Sequence, residues 1–348
     1  MAVTSKDVAR KANVSPITVS RVFNPRPGFP IAKSTHERVR AAALELGYRP
    51  NRLARALVTG RTHVITLHIP ELSTYHAQAV RLTQALLMNS HFEMIMIIDD
   101  FRARGVEVAA ERRPFPSDGI LAIDLPGQEA AIRRNQGNSE APLVTMGTLA
   151  VEDTDHVVID LKKGVWSAVR HMVRQGARSI GYVVWDIVNR AGDPRRDAYE
   201  AAVREAGLEP IYLPIAWPSR EAARDGLAAH LRAAPMPDAL FCYNDDCAIG
   251  AFKALRAHGL RVPDDILLCG CDGLPDAEFL LTPLTTIAQP IEEMCRLAWS
   301  FLQERMDDPD APLQQKILEP ALIKRESTLG SAVGKDSRAS VGATQNLS

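Results

Sequence analysis

The sequence predicts an α/β protein carrying a small helical head. Three observations lead there. From about residue 62 to 330, short apolar runs alternate with helix-length segments, the pattern of parallel sheets covered on both faces. The first 61 residues instead hold three short amphipathic stretches, each too small to bury a core alone. Charge divides at the same place. Residues 1–61 carry three Lys and nine Arg against Asp7, Glu37 and Glu45, a balance of +9, so the remainder of a chain with net charge −1 carries −10. A basic head on an acidic body fits a polyanion-binding module joined to something else.

Composition narrows the classes. A chain of 348 residues, 46% of them hydrophobic, suits two or three domains with proper cores. No apolar run reaches the ~18 residues of a membrane span, and MAVTSKDVARKANV has no apolar segment of the signal-peptide kind. The five cysteines, Cys242, Cys247, Cys269, Cys271 and Cys295, are odd in number and confined to the last third. That argues against a disulfide framework and for a reducing cytoplasm.

In the head, Thr4-Ser5-Lys6-Asp7 fits a capping box ahead of Val8, Ala9 and Ala12. Asn13 suits a left-handed helix exit. Ser15 is the expected N-cap of a second helix, with Pro16 at its first position. A third helix is expected from about Ser34 to Leu46, with Val39, Ala42, Ala43 and Leu46 inward and Gly47 as its stop. The first two helices have helix-turn-helix spacing. The second would enter the major groove. Pro16 and Ile17 are then the base-facing candidates, able to touch a thymine methyl but not to fork onto guanine. Thr18, Ser20, Arg21 and Asn24 lie largely off the apolar stripe and, with Thr4, Ser5 and Ser15, are the candidate phosphate or base contacts.

In the body, HVITLHI, FEMIMIID, GILAID, PLVTMG and HVVIDL read as strands, with helices over AQAVRLTQALLM, RGVEVAAER and a segment ending at Gln175. After Gly176 come SIGYVVW, IYLPI, ALFCYN and ILLCGCD, separated by helices ending near Ala206, Ala233 and His258. No GxGxxG or GxxxxGK[ST] loop occurs, which counts against a nucleotide-hydrolysing or dinucleotide enzyme. Cys269 and Cys271 alternate on one strand and read as buried thiols, not metal ligands, because no CxxC or His-rich partner accompanies them. No catalytic constellation can be argued from the scattered His residues. No metal or cofactor is expected.

KDVARKANVSPITVSRVFN followed by ERVRAAALELGYRPNRLARAL resembles the head of the lactose-repressor (LacI/GalR) family of bacterial transcription regulators. The composite is long and therefore specific. The body resembles the same family's periplasmic-binding-protein-like core of two α/β lobes with parallel sheets, through HIPELS, SDGILAID, RRDAYEAAVREAGL, ALFCYNDDCAIGAFKALRAHGLRVPDDI, CGCDG, PLTTIAQP and ALIKREST. The resemblance implies a helix-turn-helix domain over 1–48, a hinge over 49–61, and an effector-binding and dimerisation core over 62–330. Lobe one would take about 62–160 and 290–319, lobe two about 161–289 and 320–330. The small, polar stretch 331–348 would be a disordered tail.

It also implies roles. In the hinge, Leu57 matches the leucine that wedges into the central base step of the operator, although alone it reads as a core leucine. Asn51, Arg52 and Arg55 would hold the backbone or the groove. Arg195 matches the family's effector-binding arginine, with Ala198 and Tyr199 completing its motif. Asn244, Asp272 and Trp217 match an amide, an acid and an aromatic of the cleft, tools for a polyhydroxylated ring. Taken singly, Asp272 could be a turn residue, Arg195 a solvated helix-start charge and Trp217 plain core. On lobe one, Ser73, Tyr75 and His76 follow the first strand in a segment unlike the family's usual one. Gly147 stands where the type member of the family carries a cleft acid, so the ligand would be unlike lactose in detail.

Two further departures stand in the head. The segment between its second and third helices is about two residues longer than usual, and Ala32 replaces a frequent Ser cap, which would move the cap to Ser34.

The function implied is a repressor that answers to a sugar or sugar derivative and binds a palindromic operator as a homodimer. A regulator answering to a purine or nucleoside corepressor is the alternative. A solute-binding protein would need an export signal and has no use for a +9 head. An α/β enzyme would need a catalytic set.

Overall fold

The computed structural model describes residues 3–23, 30–48, 60–99, 116–134 and 141–329. Asn24, Asn51, Arg52, Arg55 and Leu57, the helix expected over 104–112 and the tail 331–348 lie outside the described residues. Contacts divide the chain into two units, Met1–His63 and the residues from Val64 onward.

The head is built from α1 (Ser5–Ala12), α2 (Pro16–Phe23) and α3 (Lys33–Leu46). The Asp7 carboxylate accepts from the Thr4 N–H at 3.0 Å and the Thr4 hydroxyl at 2.7 Å, which closes the first turn of α1. Asn13 ends that helix in the left-handed region at φ 49°. Ser15 Oγ accepts the Thr18 N–H at 3.1 Å and caps α2. Gly47 ends α3 at φ 65°, a conformation that costs glycine nothing. The three helices bury Val8, Ala9, Ala12, Val19, Val22, Val39, Ala42 and Ala43 together. One expectation fails here: α3 begins at Lys33, Ala32 is its cap position, and no side chain caps it. Lys33 and Ser34 are already helical, so Ser34 sits too late to offer its hydroxyl to the first free N–H groups.

The body contains two six-stranded sheets. The first contains β1 (Val64–Ile69), β2 (Glu93–Ile98), β3 (Gly119–Ile123), β4 (Leu143–Gly147), β5 (Asp155–Ile159) and a late strand, β11 (Gln315–Leu318), in the order β11-β5-β4-β3-β1-β2. All its pairings are parallel. Helix α4 (Thr74–Asn89) follows β1, and α5 (Glu129–Arg134) follows β3. The second sheet contains β6 (Ile180–Trp185), β7 (Ile211–Ile215), β8 (Ala239–Cys242), β9 (Leu267–Asp272), β10 (Thr285–Ala288) and β12 (Ala321–Ile323), ordered β12-β10-β9-β8-β6-β7. Helices α6 (Leu161–Arg174), α7 (Pro194–Glu205), α8 (Arg220–Ala233) and α9 (Asp245–Ala257) accompany it, and α10 (Ile291–Asp307) packs back on the first sheet.

The chain thus passes between lobes after β5, after β10 and after β11. This refines the expectation of parallel sheets, because β12 pairs antiparallel with β10. Only Glu319 and Pro320 separate β11 from β12.

Central strands are buried on both faces. Ile65, Leu67 and Ile69 of β1 are fully buried on one side, and Thr66 and His68 nearly so on the other. Each fully buried aliphatic side chain contributes about 1.5–3 kcal/mol. All five cysteines are buried and free. Among the described residues no helix is long and apolar enough to cross a membrane, and no group of three or more His, Cys, Asp or Glu could hold a metal ion.

Candidate reading helix and effector cleft

On α2 the inward residues are Val19 and Val22, while Ile17 leaves 64% of its surface exposed. A β-branched apolar side chain so exposed at a helix start contributes nothing to the head's core and is free to meet another surface. Pro16 and Ser20 are also exposed. The polar candidates are partly engaged already. Ser15 Oγ and Thr18 Oγ1 lie 2.9 Å apart, and the Thr4 hydroxyl proton goes to Asp7, so Thr4 must release that bond before donating to a phosphate. Ser5 and Arg21 are half-buried.

In the body the candidate residues gather at the carboxyl ends of the strands of both sheets, where open α/β sheets hold ligands. The local folding reasons are visible. Asp193 caps α7, accepting from the N–H groups of Arg195 and Arg196 at 3.1 and 2.9 Å, and Pro194 occupies the first turn. The Tyr199 hydroxyl donates to Ile180 O at 2.7 Å and accepts the Ile211 N–H at 2.9 Å, pinning α7 across β6 and the entry to β7. Arg195 is thereby held on the first turn of α7, its guanidinium 4.4 Å from the ring centre of Tyr243. Burial works against its charge, yet Tyr243, Cys271, Asp272 and Asp193 together hold it firmly protonated, above the ordinary arginine range.

Asp272 ends β9 at φ 140°, a conformation that costs a non-glycine residue on the order of 1–3 kcal/mol. Its carboxylate accepts from Gln289 Nε2 at 2.8 Å. Burial and the nearby Asp245 push it well above the carboxylate range, with Arg195 pulling the other way. Asp245, at the start of α9, is itself raised to about 6, chiefly by burial, while Thr286 Oγ1 and the Leu274 N–H donate to it.

From lobe one, Ser73 caps α4, accepting the His76 N–H at 3.3 Å, and its hydroxyl meets His76 Nδ1 at 2.8 Å. Tyr75 and His76 are 6% and 7% exposed. Burial, then Asp124 and Asp272, raise the Tyr75 hydroxyl well above its usual range, and Arg195 opposes them. Groups of both lobes therefore converge. The Tyr75 hydroxyl, His76 Nε2, Trp185 Nε1, Arg195 Nε and Gln289 Oε1 are buried without a hydrogen-bond partner among the described residues. A group left in that state costs on the order of 1–3 kcal/mol, a cost that a polar ligand meeting these atoms would relieve.

Two candidates sit differently. Asn244 spends its amide on the fold: Oδ1 accepts the Cys247 N–H at 2.7 Å, capping α9, and Nδ2 donates to Pro218 O at 3.3 Å. Its geometry favours shaping the cleft over gripping a ligand. Trp217 packs edge-on against Trp185, ring centres 5.0 Å apart. It lines an outer cavity of about 480 Å³ together with Ser73, Leu72, Ile98, Arg220 and Asp246. Arg220 is held there by Asp246 at 2.6 Å and Asp276 at 2.7 Å.

Sequence reasoning missed Asp124, Trp185, Tyr243 and Gln289. Asp124 immediately follows β3 and lies between the lobes' polar groups. Burial alone would raise its pKa, but His76, Arg195 and the Thr148 N–H outweigh that and hold it below the usual value. Its place at a strand's carboxyl end was a usable signal. Tyr243 stands beside Asn244 at another such end.

Comparison with known proteins agrees with this architecture. Residues 4–51 match the model for bacterial regulatory proteins of the lacI family, and residues 169–328 match a periplasmic binding protein-like domain. The HTH-type transcriptional repressor PurR of Serratia proteamaculans is 30% identical over 334 residues, covering 93% of this chain and 96% of that protein. The ribose operon repressor of Haemophilus influenzae is 28% identical over 333 residues, covering 93% and 98%. The solved lac repressor dimer bound to operator and an anti-inducer matches with a TM-score of 0.78 at 24% identity, covering 95% of this chain and 100% of that one, which shows the common fold.

A helix-turn-helix head and a binding-protein body define a class of regulator in which one chain both reads DNA and senses a small molecule. The chain belongs to the lacI family of bacterial regulatory proteins. It is a ligand-responsive, DNA-binding transcription regulator, not an enzyme.

Proposed function

We propose that this chain is a cytoplasmic repressor that binds a palindromic operator as a homodimer and takes a neutral sugar or sugar derivative in its interlobe cleft. The observation that carries the effector class is the cleft's polar balance. One guanidinium, Arg195, faces two carboxyl groups, Asp124 and Asp272. With Asp272 held toward its neutral form, Asp124 already balances Arg195, so a phosphate or sugar acid would meet no net positive charge. A neutral polyol offers both donors to Asp124 and Gln289 Oε1 and acceptors to Tyr75, Arg195 and Trp185. The ribose operon repressor's name is consistent with a sugar-linked regulon.

A second reading has its own support. The Trp185–Trp217 pair beside the cleft suits stacking on a flat base, and the PurR relative is named for such a regulon. Under it the effector is a purine or nucleoside.

On the operator, two copies of α2 would enter successive major grooves of a palindrome. The effector would alter the stability of the DNA-bound state, and linkage requires DNA to alter effector affinity by the same factor. A thermal-shift screen of neutral sugars, sugar phosphates, purines and nucleosides, followed by gel shifts with selected operator DNA, tests the proposal. A neutral sugar should raise Tm and change operator affinity. Stabilisation by sugar phosphates or by free purines alone would replace the sugar reading. Removing residues 1–61 should abolish operator binding and leave effector binding intact; sequence-specific binding by the truncated body would overturn the assignment of DNA reading to the head.

A further inference from the structure

Asp245 opens α9 but takes no part in capping it, because Asn244 Oδ1 already accepts the Cys247 N–H. Its side chain turns instead to the ends of β9 and β10. Oδ2 accepts the Leu274 N–H at 2.7 Å, and Oδ1 accepts the Thr286 hydroxyl at 2.6 Å. Thr286 Oγ1 in turn accepts the Gly273 N–H at 3.2 Å. One carboxylate thus holds the backbone that follows Asp272, directly at residue 274 and through Thr286 at residue 273.

The surroundings leave room for this arrangement and for little else. A Cβ at Gly270 would lie 2.1 Å from Asp245 Oδ1, and one at Gly273 would lie 2.7 Å from Ala288. Gly273 sits at φ 77° and Asp272 at φ 140°. A non-glycine residue at such a φ persists only where its neighbours over-determine it. On the far side of the turn, Gln289 donates from Nε2 to Asp272 Oδ1 at 2.8 Å and from its backbone N–H to Asp272 O at 3.1 Å. Asp245 and Thr286 are fully buried, so neither reaches the cleft surface. Burying a carboxylate is costly unless it is hydrogen-bonded, and the two bonds that offset the cost of Asp245 both end beside Asp272.

We propose that Asp245, acting through Leu274 and Thr286, is a positioning residue for Asp272: it sets the direction in which that acid presents its carboxyl group to the effector. The role rests on the reading of Asp272 as an effector contact and holds for a sugar or a purine alike. It makes Thr286, a buried strand residue, part of the effector response.

The test uses the full chain in the slightly alkaline range, where Asp245, raised to about 6, is ionised. D-ribose, D-glucose, D-galactose, cellobiose, hypoxanthine and adenosine are titrated calorimetrically. The tightest binder is carried into the variants over a range wide enough to register the weakest of them. Asp245→Asn and Thr286→Val should each weaken binding about tenfold, whereas Thr286→Ser, which keeps the hydroxyl, should change it less than about threefold. In an Asp272→Ala background, Asp245→Asn and Thr286→Val should each add less than about twofold, because the group they position is gone, while each still lowers Tm. Circular dichroism checks each fold. Thr286→Val carries the test if Asp245→Asn does not fold, and Asp272→Asn replaces Asp272→Ala on the same ground. An equal loss in both backgrounds, or a lowered Tm with affinity unchanged, would overturn the positioning role. Wild-type affinity in Asp272→Ala would overturn the effector contact of Asp272 and the positioning role with it, leaving the effector class standing. Failure of every sugar and purine to bind would overturn the effector reading on which both rest.

Discussion

Arg195 is the side chain on which the proposed effector site most depends. Its Nε has no partner among the described residues, its planar face is 4.4 Å from the Tyr243 ring centre, and carboxyl groups stand near it. Replacing it by Ala removes the cation that offsets Asp272 and Asp124. Arg195→Ala should weaken effector binding by tenfold or more and abolish the effector's influence on operator affinity; an unchanged response in calorimetry and gel shift would remove the residue from the site. Its role was legible in the sequence only through a family motif, because an arginine after Asp-Pro at a helix start is ordinarily a solvated charge. Asp124 was legible only as an acid at a strand's carboxyl end. Nothing in GILAID marks its acid as more than a strand-end turn residue until the fold sets it against Gly147 and His76.

At the scale of elements, α7 and α2 carry separate predictions. The Tyr199 hydroxyl ties α7 to β6 and to Ile211. Tyr199→Phe keeps the ring and leaves the Ile211 N–H without that acceptor. It should cost about 1–3 kcal/mol in urea unfolding and weaken effector binding through Arg195; a loss of stability with effector affinity unchanged would show that the pin does not position Arg195. On α2, Ile17 protrudes without a hydrogen-bonding group. Ile17→Gln should create a preference for adenine at one position of each half-site, read by operator selection. Equal tolerance of all four bases before and after the change would show that this position reads nothing. Helix boundaries in the head were legible because local chemistry sets them: Asp7, Asn13, Ser15 and Gly47 act through the backbone within four residues of themselves. The failed expectation, a Ser34 cap, arose where the sequence offered a hydroxyl but the chain had already turned helical.

Across the whole body, folding buries acids that the unfolded chain leaves in water. Asp245 is the clearest case, buried and raised to about 6. In the unfolded chain the same group titrates near 3.8, so the folded state binds its proton more tightly. That contribution to stability is full below the unfolded value and is lost as pH rises through about 6. The Tm of the wild type relative to Asp245→Asn should therefore fall between about pH 4 and pH 6.5 and level off above that, and a difference independent of pH would contradict the raised carboxyl.

By itself the sequence determined the basic head, its three-helix pattern, the alternating body and the family. Those signals are local or periodic: a cap, a stripe, a charge count and a composite motif do not depend on what the chain meets elsewhere. Only the tertiary structure decided which polar groups face one another. Tyr75, Asp124, Arg195 and Asp272 lie on four separate stretches of the chain, and the carboxyl ends of two sheets bring them together. It also decided that Asn244 is spent on capping α9 and that β12 runs antiparallel, since a side chain's partners and a short strand's direction are fixed by neighbours far away in sequence. The glycine at 147 belongs to both. The sequence shows an acid missing there, and the fold shows Asp124 filling the space from the next strand.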